Sequence, residues 1–300
     1  MSQVAVITRT KNRPLLLERA INSVLSQTFS DWQMAIVNDG GDINSVEALI
    51  EKHRNDFNGR VVTIHNPHSL GMEAASNVGI NSTKSNYVVI HDDDDSWRPQ
   101  FLEKTVDFLQ RAAFPNIKGV ITHSTRIVEI IKNDNAIKIK TKESFNTWLE
   151  NVSLYRMAAG NVFPPISFLF QRAVFDKIGL YNESLPVLGD WEFNLRFLRY
   201  FDIGVVPELL ANYHHRLTIN SGDYSNSVIG DNDKHKFFDN LLRNQWLRSD
   251  LDNQKVDIGY LMNIAQSFEK VHGQLFPFET VLRKMIQNKV IRRIGKWLTR

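Results

Sequence analysis

Short apolar runs alternate with amphipathic segments through the first hundred residues of the chain. The apolar runs have the length of buried strands, and the segments between them place apolar side chains at helical spacing. This alternation predicts an α/β fold with a mixed, mostly parallel sheet that is flanked by helices and joined by right-handed crossovers. The predicted strands are Val4–Ile7, Met34–Val37, Val61–His65 and Tyr87–Ile90, and the predicted helices are Leu17–Leu25, Ser45–His53 and Glu73–Ile80.

The pattern becomes less regular after Pro99. A lysine-rich hairpin is predicted around residues 133–142, and irregular backbone is predicted over 148–165. From about His235 onward the spacing of apolar residues is helical. The other predicted elements are helices at Phe101–Arg111, Arg172–Ile178 and Asp190–Tyr200 and strands at Gly119–His123, Arg126–Ile131 and Ile166–Phe170.

Composition places the chain among ordinary globular proteins. Its 300 residues are 42% hydrophobic, which is enough to build one large or two modest cores. We expect one α/β domain over residues 1–220, with halves at 1–98 and 99–220, and a mainly helical region over 221–300.

The chain contains no cysteine, which excludes disulfides, thiolate metal ligands and a cysteine nucleophile. Its amino terminus enters an apolar strand at once, without the basic and long apolar segments of a signal peptide. We therefore expect a cytoplasmic protein. A net charge of +3 is too small to indicate a nucleic-acid partner.

Four consecutive aspartates, Asp92–Asp95, directly follow the predicted strand Tyr87–Ile90. Like charges at this spacing raise one another's pKa unless a cation lies among them, and Mg²⁺ and Mn²⁺ prefer carboxylate oxygens. The alternative is a solvated acidic loop or a cap for a helix opened by Ser96 and Pro99. Because open α/β sheets bind ligands at the carboxyl ends of their strands, we favour a metal site.

Two other strands end in polar residues at the same edge of the predicted sheet, at 8–14 and at Asn38–Gly41. The Asp39 carboxylate can accept a hydrogen bond from a base or ribose, and the glycines allow close approach of the backbone. An ordinary tight turn explains Asn38–Gly41 equally well. The chain has no Gly-Lys-Ser/Thr phosphate loop, and no Gly-x-Gly-x-x-Gly follows its first strand, so a metal is expected to hold phosphates.

Taken in order, these segments resemble the inverting glycosyltransferases of family 2, which have the GT-A fold and use nucleotide-sugars. The resemblance covers about residues 1–220. The segments that carry it are Val6–Pro14, Ala20–Trp32, Val37–Gly40, Asp92–Pro99 and Gly189–Glu192.

The resemblance implies a donor site at the strand ends, with Asp39 at the nucleobase and the aspartate run at the sugar-nucleotide and the metal. Asp92 and Asp94 fit the family's Asp-x-Asp pattern best, and Asp93 with Asp94 is the competing register. Asp94 is therefore the expected ligand of Mn²⁺ or Mg²⁺, which stabilises the departing nucleoside diphosphate. The implied donor-binding residues are Thr8, Thr10, Arg13, Asp39, Asp92 and Asp93.

Inverting transfer also requires a base that takes the proton of the acceptor hydroxyl on the opposite face of the sugar. The resemblance assigns this role to Asp190, which follows Gly189 at the start of a predicted helix. An N-cap is the alternative role of an aspartate at this position. Glu192 either faces the acceptor or has a structural role.

Two adjacent histidines lie in the segment Tyr213–Arg216. Histidine in this region of some relatives completes the metal site or meets the diphosphate, and neutral imidazole is a suitable metal ligand. Neighbouring residues of a strand point to opposite faces, so His214 and His215 cannot both face the site. We assign the metal to His215, with a surface histidine as the alternative, and Arg216 either pairs with phosphate or with a surface carboxylate.

One segment departs from the family pattern. Many relatives carry an arginine in an Ala-Arg-Asn segment after the third strand, and this chain has Ser76 before Asn77 there. We expect the corresponding phosphate contact to be missing or to be supplied by another residue.

The carboxyl terminus combines apolar residues at nearly helical spacing over 281–300 with seven Lys or Arg and no acid from Arg283 onward. This pattern predicts a basic amphipathic helix that makes peripheral contact with an anionic membrane. A terminal helix that packs on the domain is the alternative. A membrane surface would suit a lipid-linked saccharide acceptor.

These observations predict a metal-assisted, inverting glycosyltransferase that transfers sugar from a nucleotide-sugar to a glycan or a lipid-linked saccharide. We expect it to act in polysaccharide biosynthesis for the cell envelope, at the inner face of the cell membrane. A catalytically silent nucleotide-sugar or glycan-binding module is one alternative, although it would not need Asp94 and Asp190 together with Asp39. A metal-dependent phosphoesterase or nucleotidyltransferase is the other; the latter consumes a nucleoside triphosphate and releases pyrophosphate.

Overall fold

The computed structural model describes residues 2–131, 137–216, 224, 232–253 and 258–287. In this part of the chain, nine strands form one sheet in the order β3-β2-β1-β4-β8-β6-β9-β5, and β7 pairs with β6. The strands are β1 (Ser2–Thr10), β2 (Trp32–Asp39), β3 (Val61–Asn66), β4 (Ser85–Ile90), β5 (Ser96–Trp97), β6 (Ile117–Ile131), β7 (Ile137–Ser144), β8 (Phe168–Gln171) and β9 (Asp202–His215).

The first four strands are parallel. β1 lies between β2 and β4, and β3 extends the sheet beyond β2. Strands β5, β7 and β8 are antiparallel to the strands they pair with. Strands β6 and β9 are parallel to each other. The carboxyl ends of β1, β2 and β4 therefore meet at one edge, and the predicted mixed α/β architecture is confirmed.

Several of the helices in the first two hundred residues pack on the sheet through their apolar stripes. In α1, for example, Leu17, Ile21 and Val24 are fully buried. The helices are α1 (Pro14–Leu25), α2 (Ile43–Lys52), α3 (Arg54–Phe57), α4 (Met72–Asn81), α5 (Phe101–Gln110), α6 (Leu154–Ala159), α7 (Phe175–Ile178), α8 (Gly189–Leu198), α9 (Asn232–Asp252) and α10 (Ile258–Gln287).

Close packing of α4 on the sheet fixes one wall of the site. A Cβ atom at Gly79 would lie 2.6 Å from the Cγ2 of Ile7 in β1, so glycine allows the helix to approach the strand. This contact directs the first turn of α4 towards the carboxyl end of β1.

Two predicted strands prove to be one. The expected strands Gly119–His123 and Arg126–Ile131 are parts of β6, which runs without a break from Ile117 to Ile131. Ser124 and Thr125, which separate the two predicted strands, are buried inside the sheet. Their short polar side chains are compatible with a strand, so the predicted division into two strands was wrong.

Strand β9 was not predicted as a whole because Pro207 interrupts its pattern. The ladder with β6 skips Pro207 and Glu208, since Val206 pairs with Thr122 and Leu209 pairs with His123. Proline is tolerated in such a bulge because it has no N–H to donate.

Two smaller predictions also need correction. The segment 148–165, expected to be irregular, contains α6, whose first turn is capped by the Oγ of Ser153 accepting from Arg156 N at 3.1 Å. The strand expected at Ile166–Phe170 begins at Phe168 because a short 3₁₀ helix, Pro165–Ser167, precedes it.

The chain divides into two compact units. One comprises Met1–Met157 with Asn161–Leu242 and holds the sheet, and the other comprises Ala158–Gly160 with Arg243–Arg300. Helix α10 lies in the second unit, where Arg243 donates to the carbonyl oxygens of Ala158 (3.0 Å) and Met262 (2.8 Å).

Among the described helices, none has the length and apolarity needed to cross a lipid bilayer. Backbone of the predicted basic helix is described only as far as Gln287, within α10. The side chains of 281–287 and the whole of 288–300 lie outside the described residues.

Candidate active site

The aspartate run leaves the carboxyl end of β4 with alternate side chains buried. The side chains of Asp92 and Asp94 are 23% and 14% exposed, whereas Asp93 and Asp95 are 1% exposed. Asp93 accepts a 2.7 Å hydrogen bond from Thr10, and Asp95 accepts one of 2.8 Å from the backbone N–H of His214. The two exposed carboxylates are those of the register Asp92 and Asp94.

Each of the first three aspartates lies against an arginine. Arg9 Nη2 is 2.9 Å from Asp92 Oδ1, and Arg13 Nε is 3.2 Å from Asp93 Oδ2. Asp94 contacts both Arg13, at 3.6 Å, and the fully buried Arg216. Arg13 and Arg216 therefore both pair with carboxylates of the aspartate run.

Arginine and burial act in opposite directions on these carboxyls. Burial raises the pKa of Asp93 to about 6, although Arg13 partly offsets the effect. Burial also opposes ionisation of Asp94, but Arg216 and Arg13 outweigh it and hold the pKa of Asp94 well below its usual range. Asp94 therefore stays ionised throughout the physiological pH range.

Glu129, near the carboxyl end of β6, binds basic side chains beside the aspartate run. Its fully buried carboxylate accepts hydrogen bonds from Arg19 (2.8 and 3.0 Å), His214 Nδ1 (2.8 Å) and Arg216 (3.4 Å). Despite burial, these partners lower the pKa of Glu129 to about 2. Glu129 was not predicted as a site residue, although a lone acid within the apolar run Ile127–Ile131 is a detectable signal.

The two histidines differ in the hydrogen bonds of their ring nitrogens. Both ring nitrogens of His214 are hydrogen-bonded, Nδ1 to Glu129 at 2.8 Å and Nε2 to Ser96 at 3.0 Å. The Nε2 atom of His215 is buried and has no hydrogen-bond partner among the described residues. Burial lowers the pKa of His215 to about 4, so its imidazole is neutral at pH 7.

Within the described residues, no three His, Asp or Glu side chains converge as ligands of a metal ion. Asp94 and His215 nevertheless have suitable chemistry, because an ionised carboxylate and a neutral imidazole with an unpartnered nitrogen are both divalent-cation ligands. A cation held by these two side chains would take further ligands from a bound diphosphate.

Asp39, at the carboxyl end of β2, is saturated with hydrogen bonds from the loop that follows β3. Each carboxylate oxygen accepts two, which fills its lone-pair sites. Burial opposes ionisation, but these bonds outweigh it and lower the pKa of Asp39. The carboxylate thus holds the loop that leads into α4. Its donors are Asn66 Nδ2 (2.8 Å), Ser69 Oγ (2.7 Å), Leu70 N (2.9 Å) and Gly71 N (3.1 Å).

Gly40 permits this contact between the two loops. Its φ is +74°, and a Cβ atom there would lie 2.5 Å from the backbone nitrogen of Ser69. A side chain at this position would both strain the backbone and push the loop after β3 away from Asp39.

Asp190 lies in the first turn of α8, one residue inside the helix. The N-cap residue is Leu188, with φ 65°, and Asp190 is not the cap. Asp190 Oδ2 accepts a 2.7 Å hydrogen bond from Asn161. Burial raises the pKa of Asp190, although the Trp191 N–H and Arg9 partly offset it, and a higher pKa makes the carboxylate a better proton acceptor.

Glu73, in the first turn of α4, lies between Arg9 and the start of α8. Its side chain is 3% exposed, and its Oε2 is 3.8 Å from Arg9 Nη1. A Cβ atom at Gly189 would be 2.2 Å from the Cδ of Glu73, so the carboxyl packs against the residue that precedes Asp190. Burial raises the pKa of Glu73 to about 7. Neither Arg9 nor Glu73 was predicted to belong to the site.

Thr8 takes a different place. It is fully buried in β1, and its Oγ1 has no hydrogen-bond partner among the described residues. The structure thus joins Thr10, Asp93, Arg13 and Asp94 by direct contacts and pairs Asp92 with Arg9, while Asp39 is tied to the loop after β3.

The profile of the family described as "Glycosyl transferase family 2" matches residues 5–179, which is more than half of the chain. The chain belongs to glycosyl transferase family 2.

Relatives in the family are distant. An uncharacterized glycosyltransferase of Nostoc, alr2836, is 29% identical over 179 residues, which are 59% of this chain and 53% of that protein. The uncharacterized glycosyltransferase YwdF of Bacillus subtilis is 22% identical over 206 residues, which are 68% of this chain and 71% of that protein. The chain thus spans about half the length of the Nostoc relative.

Solved structures show the same fold. TarS of Staphylococcus aureus superposes with a TM-score of 0.53 at 16% identity, over 71% of this chain and 60% of that chain. A mannosyltransferase of Pyrobaculum calidifontis, in complex with GDP-Man and Mn²⁺, superposes with a TM-score of 0.53 at 17% identity, over 70% and 56%. The predicted GT-A fold of family 2 is confirmed.

Proposed function

We propose that the chain is an inverting glycosyltransferase that moves a sugar from a nucleotide-sugar to a saccharide or a lipid-linked saccharide. The observation that carries the proposal is the position of Arg9. Its guanidinium pairs with Asp92 of the aspartate run and also interacts electrostatically with Asp190. A donor-binding cluster and a basic carboxylate therefore lie on two sides of one arginine.

The proposed donor-binding residues form two groups, one for the nucleobase end of the donor and one for its diphosphate and sugar. Asp39 is proposed to act at the nucleobase end of the donor by holding the loop after β3 in place, because donors from that loop already fill its lone-pair sites. Thr10 and the fully buried Thr8 lie beside it in β1 and are proposed to support the same end of the site. Arg13 and the exposed carboxylate of Asp92 face the diphosphate and the sugar. Asp93 is buried, accepts a hydrogen bond from Thr10 and pairs with Arg13, so it is proposed to hold Arg13 in position.

Asp190 is proposed to act as the base. The acceptor oxygen attacks the anomeric carbon of the donor sugar and passes its proton to the Asp190 carboxylate. The bond between that carbon and the diphosphate oxygen breaks, and its electron pair leaves with the nucleoside diphosphate. Attack from the face opposite the leaving group inverts the anomeric configuration.

A divalent cation, Mn²⁺ or Mg²⁺, would supply positive charge to the departing diphosphate when bound. Asp94 and His215 are the residues proposed to hold it. The Pyrobaculum mannosyltransferase was solved with GDP-Man and Mn²⁺, and TarS was solved with UDP and with UDP-GlcNAc. Those complexes support a search among uridine and guanosine donors first.

Calorimetric titration with UDP-, GDP-, dTDP- and CMP-sugars, with and without Mn²⁺, tests donor binding. Transfer to an acceptor is followed by chromatography, and the anomeric configuration of the product by NMR. Release of pyrophosphate from a nucleoside triphosphate would instead identify a nucleotidyltransferase. Donor binding without turnover on any saccharide acceptor would favour a catalytically silent module.

Asp190→Asn tests the base. The variant is expected to lose roughly 100-fold or more of the turnover rate while keeping donor affinity, because general bases contribute about that much. Asp202→Asn is a matched control, since Asp202 also accepts from an asparagine amide, Asn116 Nδ2 at 2.9 Å. Normal turnover by Asp190→Asn would exclude the proposed role.

Peripheral membrane contact through 281–300 stays a prediction. Co-sedimentation of the full chain with vesicles of anionic and of neutral lipid tests it, and equal recovery with both kinds of vesicle would contradict it.

A further inference from the structure

Arg9 is anchored to α4 through one side of its guanidinium. Nη1 donates to the Oγ of Ser76 at 2.6 Å and to the carbonyl oxygen of Met72 at 3.2 Å. Ser76 is fully buried, and the family resemblance implies an arginine at this position in many relatives. The structure therefore places a guanidinium from β1 directly against the position where the sequence lacks one.

The other side of the same guanidinium is differently engaged. Nη2 pairs with the partly exposed Asp92 at 2.9 Å, and Nε makes no hydrogen bond to any described residue. Nε and Nη2 form one edge of the planar group, and such an edge binds two oxygens of a phosphate or carboxylate. Arg9 thus presents an edge to the side of the aspartate run that solvent reaches.

The surroundings of Arg9 contain more acid than base. Besides Asp92, the guanidinium interacts with Glu73, Asp190 and the hydroxyl of Tyr181. Glu73 Oε2 has no hydrogen-bond partner among the described residues, and burial raises the pKa of Glu73 to about 7. Because this pKa lies near 7 and the Oε2 of Glu73 is 3.8 Å from Arg9 Nη1, Glu73 is only partly ionised at neutral pH and offsets the charge of Arg9 incompletely.

Position along the sheet identifies which part of a donor would meet this edge. Asp39, at the end of β2, is on one side of β1, and Asp92, after β4, is on the other. The anion of a nucleotide-sugar lies between its base and its sugar. Negative charge develops on that anion as the glycosidic bond breaks, so a fixed guanidinium there stabilises the leaving group.

We propose that Arg9 binds the diphosphate of the donor through Nε and Nη2 and does the work of an arginine at position 76, with Ser76 and Met72 holding it in place. This assignment rests on the proposed function, because it requires a nucleoside diphosphate at the sheet edge. It makes Arg9 a substrate-contacting residue rather than a structural link between β1 and α4.

Calorimetry with UDP and GDP, and with uridine and guanosine, separates the two roles of Arg9. In Arg9→Ala, affinity for the nucleoside diphosphate is expected to fall roughly 10- to 100-fold, as for one charge-assisted contact. Affinity for the nucleoside should stay within about twofold, because a nucleoside has no phosphate to lose. A purely structural arginine would weaken both ligands alike.

The double variant Arg9→Ala with Ser76→Arg tests the exchange of positions. It returns a guanidinium from α4, and we expect it to recover about tenfold or more of the lost diphosphate affinity. Arg172→Ala is the structural control. Arg172 binds the other end of α4, donating to the Ile80 carbonyl oxygen at 3.0 Å and to Thr83 at 2.9 Å, so its loss should lower thermal stability and leave the preference for diphosphate unchanged.

Three results would overturn the proposal: unchanged diphosphate affinity in Arg9→Ala, equal losses for diphosphate and nucleoside, or a selective loss that Ser76→Arg does not recover. If the unaltered chain binds none of the nucleoside diphosphates or nucleotide-sugars, the proposed function fails as well. Binding by the unaltered chain together with any of the three results removes only the assignment of Arg9.

Discussion

Replacing Glu129 with glutamine is expected to destabilise the protein at neutral pH. The carboxylate is fully buried and is shared by Arg19, His214 and Arg216. Glutamine has almost the same shape but no charge, and its amide N–H groups would face the N–H groups of arginine. Breaking a buried ion pair by removing one partner leaves an uncompensated buried charge, which typically costs about 3–5 kcal/mol.

The pKa of Glu129 gives an independent magnitude. Its partners hold the pKa at about 2 instead of the ordinary 4.5. At about 1.4 kcal/mol for each pH unit, this difference corresponds to about 3 kcal/mol in favour of the ionised folded state. Because the folded-state pKa is the lower one, this stabilisation is complete above pH 4.5 and is lost as the pH falls towards 2.

Urea unfolding followed by tryptophan fluorescence, at pH 7 and at pH 3, measures the effect. We expect Glu129→Gln to lose about 3 kcal/mol at pH 7, with a smaller loss at pH 3. Glu143→Gln is a matched control, because Glu143 on β7 pairs with Arg126 on β6 but is 50% exposed. Exposed pairs contribute about 0–1 kcal/mol. A loss below about 1 kcal/mol for Glu129→Gln, or a loss that is equal at both pH values, would refute the reasoning.

Three further substitutions have definite outcomes. Burial raises the pKa of Glu73 from 4.5 to about 7, so the folded state keeps a proton that the unfolded chain releases between these values. Stability therefore falls as the pH rises through this range. The melting temperature of Glu73→Gln, measured relative to that of the unaltered chain, should be higher at pH 8 than at pH 5. The same difference in melting temperature at both pH values would contradict the prediction. Gly40→Ala should cost more than Gly59→Ala, because both positions have positive φ but only Gly40 has backbone within 3 Å of the added Cβ; equal losses of unfolding free energy would be the contrary result. Asp94→Asn should weaken the Mn²⁺-dependent part of donor binding in calorimetry, and an unaltered metal dependence would rule out Asp94 as a ligand.

Local periodicity was enough to predict the parallel half of the sheet. Its strands are buried on both faces and read as continuous apolar runs, and the helices between them carry clear apolar stripes. The prediction that the polar strand ends lie at one edge of the sheet required only that these strands are parallel. Thr10, Arg13 and Asp93 are in contact as a result, although they are up to 83 residues apart in the chain.

The charged interior could not be predicted from local pattern, because its partners are distant in sequence. Arg19 and Glu129 are 110 residues apart, and Arg216 and Asp94 are 122 apart. The pairing of β9 with both β5 and β6 brings Arg216 to Asp94 and Glu129, and a bulge at Pro207 conceals β9 in the sequence. The contact of Arg19 with Glu129 joins α1 to β6. Arg9 was missed for a related reason. Its proposed role depends on the absence of a guanidinium at Ser76, which is 67 residues further along the chain.

The pairing of the first three aspartates of the run with arginines has a consequence for how a ligand enters. Arg9, Arg13 and Arg216 balance Asp92, Asp93 and Asp94 one for one, so an approaching diphosphate meets neither a bare negative cluster nor a bare positive one. Under the proposed function, entry would be an exchange of partners: the guanidinium groups of Arg9 and Arg13 would turn from carboxylate to phosphate, and the released carboxylates would become available to a cation. Long-range attraction contributes little to such an exchange, so the association rate should depend only weakly on salt concentration, while the dissociation rate reports how well the new pairs replace the old.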